Sequence, residues 1–276
     1  MIGQSPTGRI VAYMVLSLAA GIALFPVALM LLNACKASVE IVMNPLGWPS
    51  TPRYQNFVHA WQDARLGHTL LNSTLVSGLT ILFTCSTGSM AAYAITGGRM
   101  KHWRLFNGYF LASTTLPIQL FLLPLYFIFA HLRLIDNVPA VSVIYTAIYS
   151  PFAILLLRTY FMAVPRELED AARMDGATSW QIFTRVMLPI ISPGLLTVSL
   201  IVGLYTWNEF LIATTFLQDR NAQTAIVSFY TLGGQYSSDW GEIMAAAVII
   251  VLPVVLFFLF LQRSFIEGMA GGSVKG

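Results

Sequence analysis

Charge is scarce in this sequence. Of 276 residues, 15 are Lys or Arg and 12 are Asp or Glu, 10% of the chain, where soluble globular proteins carry about 25%. That shortage excludes an ordinary soluble enzyme, and a chain that is 57% hydrophobic is no disordered polymer either. Cysteine is nearly absent: Cys35 and Cys85 fit no disulfide framework and are expected to be free thiols. The four histidines, His59, His68, His102 and His131, lack metal-ligand spacing and read as polar residues near the ends of apolar segments. Gly233-Gly234 and Gly271-Gly272 have neither the spacing nor the Lys-Ser/Thr ending of a phosphate-binding loop. Paired carboxylates within apolar segments, a His cluster and a Ser-Gly nucleophile motif are lacking too, so the chain is not expected to be an enzyme.

What fills the space between charges is long apolar sequence. Six stretches hold no charged residue: 10–32, 69–95, 105–130, 138–157, 186–208 and 243–261, together half the chain. A helix needs roughly 20 mostly apolar residues to cross about 30 Å of hydrocarbon. The expectation is an all-α polytopic membrane protein with six transmembrane helices in one domain, residues 1–276. The runs do not alternate apolar with polar residues, which excludes an outer-membrane barrel. Pro26, Pro117, Pro124, Pro151, Pro193, Pro253, Gly78, Gly88, Gly194 and Gly203 fall inside the runs and predict kinks, since neighbouring helices can satisfy the freed backbone groups.

Six spans put both termini on one side. That side then carries Arg9, Arg99, Lys101, Arg104, Arg158, Arg166, Arg173, Arg185, Arg263 and Lys275, against Lys36, Arg53, Arg65, Arg133 and Arg220 on the other. Cytoplasmic loops are enriched in Lys and Arg, so both termini are expected to be cytoplasmic. The first run is too long for the apolar core of a cleaved signal peptide, although Leu32-Asn33-Ala34-Cys35 faintly resembles a lipoprotein processing site.

Eight charges crowd into residues 158–185, between the fourth and fifth runs. A loop this long is unusual without structure or function. Pro165 suits a first helical position, and Glu167, Glu169 and Asp170 place negative charge in a first turn. Gly176 suits a left-handed helix end, and Thr178 with Gln181 forms a capping-box pattern for a second helix. The prediction is helix, turn, helix, with Leu168, Ala171, Ala172 and Asp175 on one face of the first helix. By periodicity alone, that face could lie on the membrane, on its own chain or on a partner.

Here the sequence resembles a known family. Asp170-Ala171-Ala172, then Asp175-Gly176-Ala177, then Leu188-Pro189 is similar to the EAA loop of permease subunits of bacterial ATP-binding-cassette importers. Asn72-Ser73, Ala91-Ala92-Tyr93-Ala94, Pro124-Leu125-Tyr126, Trp207-Asn208-Glu209-Phe210, Ile266-Glu267-Gly268 and Val274-Lys275-Gly276 extend the resemblance to the sugar-importer branch, the family of the maltose permease subunit MalG. Asp170 stands where the family usually has Glu, one methylene shorter.

The resemblance implies a type I importer permease fold in the bacterial inner membrane, and import of a carbohydrate or carbohydrate-like solute. It implies as partners a second, non-identical permease, two copies of an ATPase subunit and an extracytoplasmic substrate-binding protein. This chain would bind no cofactor itself, because ATP and magnesium belong to the ATPase. ATPase coupling would fall to Glu167, Glu169, Asp170, Ala171, Ala172, Asp175, Gly176, Ala177, Leu188 and Pro189. Sugars are held by planar polar groups and aromatic faces, so Asn72, Ser73, Gln119, Tyr126, Tyr149, Tyr205, Trp207, Asn208 and Glu209 are cavity candidates, though each also suits helix packing. Glu209 has two readings, a hydrogen-bonding anchor for the fifth span or a polar group of the pathway. Tyr230, Gly233, Gly234, Gln235, Tyr236, Ser237, Asp239 and Trp240, in a polar and aromatic outer loop spanning residues 218–242, are candidates for binding-protein contact. The C-terminal tail would approach the ATPase. The alternative is an ion-gradient-driven secondary transporter, for which Glu209 is the candidate carboxylate and no internal repeat is evident.

Overall fold

The computed structural model describes residues 6–96, 100–235 and 239–273, and all regular structure among them is helical. The chain divides into two compact units, residues 1–67 with 228–252, and residues 68–227 with 253–276.

Among the described residues, four helices are long and apolar enough to cross a membrane. They are α1 (Pro6–Ala34), α4 (Leu66–Ile95), α7 (Val138–Ala163) and the first part of α14 (Trp240–Ser273). A bent pair is a fifth when taken as one span: residues Ser179–Ile190 meet α11 (Ser192–Asn208) at 73°. The run 105–130, expected as one span, is instead two shorter helices, α5 (Trp103–Ser113) and α6 (Gln119–His131). The reason is local. Pro117 lacks an N–H and drives the residue before it out of helical conformation. The Thr114 and Thr115 hydroxyls donate back to the carbonyls of Leu111 and Ala112, both at 2.7 Å, and finish α5. Pro26, Pro124, Pro151 and Pro253 sit within continuous helices, whereas Pro193 falls in the first turn of α11.

In the first unit, α1 is apolar on all sides and exposed over most of its length, with Ile10, Leu16, Ile22 and Leu24 all more than half exposed and Asn33 and Ala34 buried at its end. A small polar knot follows its end, with the short helices α2 (Ser38–Met43) and α3 (Gln55–Asp63). Lys36 is fully buried and donates its ammonium to the carbonyls of Asn44 and Pro45, each at 3.1 Å. The Asn56 amide donates to Ala34 O and Lys36 O at 2.8 and 2.9 Å. These bonds supply acceptors to a buried charge and donors to carbonyls at the end of α1 and just beyond it.

In the second unit, α4, α7 and α11 pack together at one end around Ala92, Ala153, Ile154, Leu157, Phe161, Val198 and Val202. Helix association in lipid depends on close packing more than on water exclusion, and small residues permit it. Gly194 shows this directly, because a Cβ there would lie 2.6 Å from the Tyr160 ring. At the other end, Val76, Phe129, Val141, Tyr145, Ile212 and Phe216 form a second cluster that includes α12 (Leu211–Phe216).

Candidate functional site

The segment after α7 is the predicted helix-turn-helix. Its first helix, α8 (Arg166–Met174), begins one residue later than expected, with Pro165 as the cap residue. Its end is closed by Gly176 at φ +80°, where Gly176 N–H donates to Arg173 O and Ala177 N–H to Ala172 O, both at 3.0 Å. This paired arrangement satisfies the last carbonyls and needs a left-handed residue, for which glycine carries no Cβ penalty. Thr178 and Gln181 then form a reciprocal cap: Gln181 N–H donates to Thr178 Oγ1 at 3.3 Å and Thr178 N–H to Gln181 Oε1 at 2.8 Å. The second helix runs from α9 (Ser179–Gln181) through a π-helical segment, Ile182–Met187, into α10 (Leu188–Ile190). Leu188 and Pro189 therefore lie at the end of this helix, just before the 73° bend into α11.

The hairpin has an inner and an outer face. Glu169 is buried and points inward, where its Oε1 accepts from the Tyr93 hydroxyl of α4 at 3.1 Å and from Arg173 at 2.8 Å. The carboxylate beside Arg173 holds that guanidinium's proton more firmly than usual, first by the hydrogen bond and then by charge. Tyr93 is itself wedged between Phe161 and Phe183, with ring centroids 5.5 and 5.3 Å away. Ala172 and Ala177 are half-buried against the same cluster. The outer face carries Glu167, Leu168, Asp170, Ala171, Asp175 and Gly176, all exposed, with Met174 and Trp180 exposed as well. Of the four residues predicted to share a face, Leu168, Ala171 and Asp175 do face outward, whereas Ala172 turns toward the chain's own core. Both the Glu169 clamp and Tyr93's part in it escaped sequence reasoning, because a carboxylate in a charged run gives no sign of which way it points.

Glu209 ends α11 in an extended conformation instead of continuing the helix. Its carboxylate accepts from the Tyr145 hydroxyl at 2.7 Å, from Ile212 N–H at 3.0 Å and from Ala213 N–H at 3.1 Å. Negative charge is stabilised at a helix N-terminus, where N–H groups lack partners, and this one caps α12. The geometry thus supports the anchor reading of Glu209. Tyr149 stacks on Tyr145 with centroids 6.1 Å apart and meets the exposed Tyr205 at 5.9 Å.

The other cavity candidates are scattered. Asn72 donates to Asn221 O and Gln223 O at 2.8 and 3.0 Å, and Ser73 Oγ accepts from Ala225 N–H at 2.9 Å, so both secure the chain entering α13 (Ala225–Gln235). The Asn208 amide donates to Leu204 O of its own helix, Trp207 is half-buried, and Gln119 is exposed at the start of α6. The Tyr126 hydroxyl accepts from Gln218 at 3.5 Å. Asp136, unnoticed in the sequence, takes φ +60° and ties the same region, its Oδ1 accepting from Gln218 N–H at 2.5 Å and Asp219 N–H at 2.8 Å. A cavity of about 550 Å³ opens among α5, α6 and α7, lined by apolar residues such as Phe121, Leu125, Ile148 and Pro151, and none of the nine candidates lines it.

The segment 218–242, expected as an outer loop, holds the 11-residue helix α13. Tyr230, Gly233 and Gly234 are exposed on it. Asp239 Oδ1 accepts from the Ser38 hydroxyl at 2.7 Å and from Gly241 N–H at 3.0 Å, so it caps α14, whose first residue, Trp240, is exposed. The Gln235 side chain, Tyr236, Ser237, Arg99 and Val274-Lys275-Gly276 lie outside the described residues.

Residues 86–270 match the family described as binding-protein-dependent transport system inner membrane component. The chain is 34% identical over 252 residues to the probable ABC transporter permease protein YurM of Bacillus subtilis, covering 91% of this chain and 84% of that one. It is 33% identical over 259 residues to the arabinooligosaccharides transport system permease protein AraQ of Halalkalibacterium halodurans, covering 92% of each. Its fold matches a chain from the crystal structure of a bacterial ABC transporter involved in the import of the acidic polysaccharide alginate. That likeness has a TM-score of 0.78 at 20% identity and covers 96% of this chain and all of the other.

Proposed function

The chain belongs to the family of binding-protein-dependent transport system inner membrane components, ABC transporter permeases, and from that premise we propose the finer assignments of solute, partners and site. Its cargo is a carbohydrate or carbohydrate-like solute, as the name of its arabinooligosaccharide-transporting relative suggests. It works beside a second, non-identical permease, two ATPase subunits that hold ATP and magnesium, and an extracytoplasmic binding protein. With α5 and α6 together counted as a sixth, broken crossing, both termini and the 158–185 hairpin face the cytoplasm, as the Lys and Arg distribution favours.

One observation carries the coupling assignment. A doubly capped hairpin presents Leu168, Ala171 and Asp175 outward while its buried Glu169 is bonded to a membrane-spanning helix through Tyr93. A partner that grips the outer face of such an element moves α4 and the bent entry to α11 with it. Small Ala171 admits a close-fitting cleft, and Asp170 and Asp175 offer charge for register. Leu188 and Pro189, just before the bend, sit where a displacement of the hairpin would become rotation of the span. The mixed polar and aromatic surface of Tyr230, Gly233, Gly234 and Trp240 suits a binding-protein contact.

Glu209, with its carboxylate engaged by Tyr145 and the start of α12, is poorly suited to carry a coupling ion, and the ion-gradient alternative loses its candidate group. The test is copurification and energetics together. An ATPase subunit is expected to come with this chain, and uptake should be abolished by replacing that subunit's phosphate-loop lysine yet survive collapse of the proton gradient. Uptake that follows the gradient instead would sink the assignment.

A further inference from the structure

A cavity of about 420 Å³ lies beneath the hairpin, lined in part by Trp103, Arg158, Met162, Arg166 and Glu169. Arg158 sits five residues before the end of α7, and its guanidinium lies over the Trp103 ring, 4.9 Å from the centroid. Its Nε is buried and has no hydrogen-bond partner among the described residues. A buried N–H on a cation without an acceptor is costly, and an arginine seated over an indole has its planar fork of donors partly positioned by the ring. The one carboxylate on the wall, Glu169, is already engaged by Arg173 and Tyr93.

The placement narrows the ligand. On the termini-inside orientation, Arg158 lies where α7 leaves the hydrocarbon on the cytoplasmic side. Met162, one turn further on, is exposed, and Trp103 is an interfacial residue type. Basic pockets between spans on that side are suited to anionic headgroups, and guanidinium matches phosphate oxygens in geometry as well as charge. We propose that this cavity binds a phosphate group, that of an anionic phospholipid, with Arg158 as its principal ligand and Trp103 as the surface that orients it. A lipid seated there would wedge between α7 and the start of α8, tying the hairpin's position to membrane composition. This goes beyond the transport assignment and depends on no particular solute.

The experiment uses the purified importer complex, stripped of lipid in detergent and incubated with phosphatidylglycerol or phosphatidylcholine, with bound lipid counted by native mass spectrometry. The wild type is expected to retain phosphatidylglycerol over phosphatidylcholine, and Arg158→Gln to lower that retention about fivefold. Lys101→Gln, an exposed cation outside the cavity, is expected to change nothing. Adding inorganic phosphate separates the sources: retention that resists it supports a lipid, and displacement supports the phosphate site with a soluble occupant. Equal retention in wild type and Arg158→Gln overturns the proposal. Should Arg158→Gln fail to assemble, a headgroup-photoreactive phosphatidylglycerol on the wild-type complex decides. Crosslinks to Trp103 or to residues 158–166 support the site, and crosslinks only elsewhere overturn it.

Discussion

The Tyr93 hydroxyl donates to Glu169 Oε1 across 3.1 Å, and this bond joins the C-terminal part of the apolar helix α4 to α8, whose other face is exposed. Tyr93 is held by two neighbouring rings and Glu169 by Arg173, so the contact is a short, stiff link between the hairpin and the span.

Tyr93→Phe keeps the ring packing and removes the donor. A hydrogen bond to a charged group is worth about 1.5 to 3 kcal/mol, so the hairpin should stay folded but hold its span less firmly. The importer is expected to hydrolyse ATP while moving less solute, with uptake per ATP lowered several-fold in proteoliposomes. An unchanged ratio would mean that the bond transmits nothing.

Tyr145 and Glu209 predict a different outcome, a loss of stability without a change of selectivity. Tyr145→Phe removes one bond to the carboxylate, at about 1.5 to 3 kcal/mol. Glu209→Ala removes that bond and also the acceptor for Ile212 and Ala213 N–H, so it should cost more. Thermal unfolding of the purified complex checks the order. Because both act on one network, the double variant should be less damaging than the two effects added. A variant that unfolds normally but changes which sugar is carried would favour the pathway reading of Glu209.

Gly194 is predicted to be a packing glycine. An alanine there places its Cβ 2.6 Å from the Tyr160 ring, and overpacking of this kind costs about 1 to 3 kcal/mol. Gly194→Ala should lower the yield and melting temperature of the complex, and Tyr160→Ala in the same chain should restore part of the loss. No rescue would place the cause elsewhere.

The spans, the hairpin and its caps were legible because each has a local cause. Uninterrupted apolar runs need only length, Gly176 needs only its φ, and Thr178 with Gln181 needs only a spacing of three. The break in the third run was harder to read, because Pro124 and Pro151 lie inside continuous helices and Pro117 does not. The difference is Thr114 and Thr115, whose hydroxyls turn back on α5 just before it. In the fifth run Pro193 and Gly194 predict a kink and the 73° bend falls just before them, but the π-helical segment that precedes the bend has no sequence signature. Inward against outward placement was the least legible. Glu169 and Asp170 are adjacent acids, yet one is buried by a tyrosine 76 residues away. Asn72, Ser73 and Asp239 suggested solute or partner contact as polar residues near span ends, but their bonds go to backbone N–H and C=O groups and to Ser38.

On the proposed assignment, the outer face of α8 receives displacement from an ATPase. The most direct test is solute uptake, measured with solute-stimulated ATP hydrolysis, in the reconstituted importer carrying Asp170→Lys and Asp175→Lys. Both residues are exposed and bear no part of the Glu169 clamp, so the chain should fold and insert normally. Uptake and stimulated hydrolysis should fall together by at least about tenfold, the loss of roughly 1.4 kcal/mol or more of docking free energy. Uptake and stimulated hydrolysis both at wild-type levels would contradict the assignment.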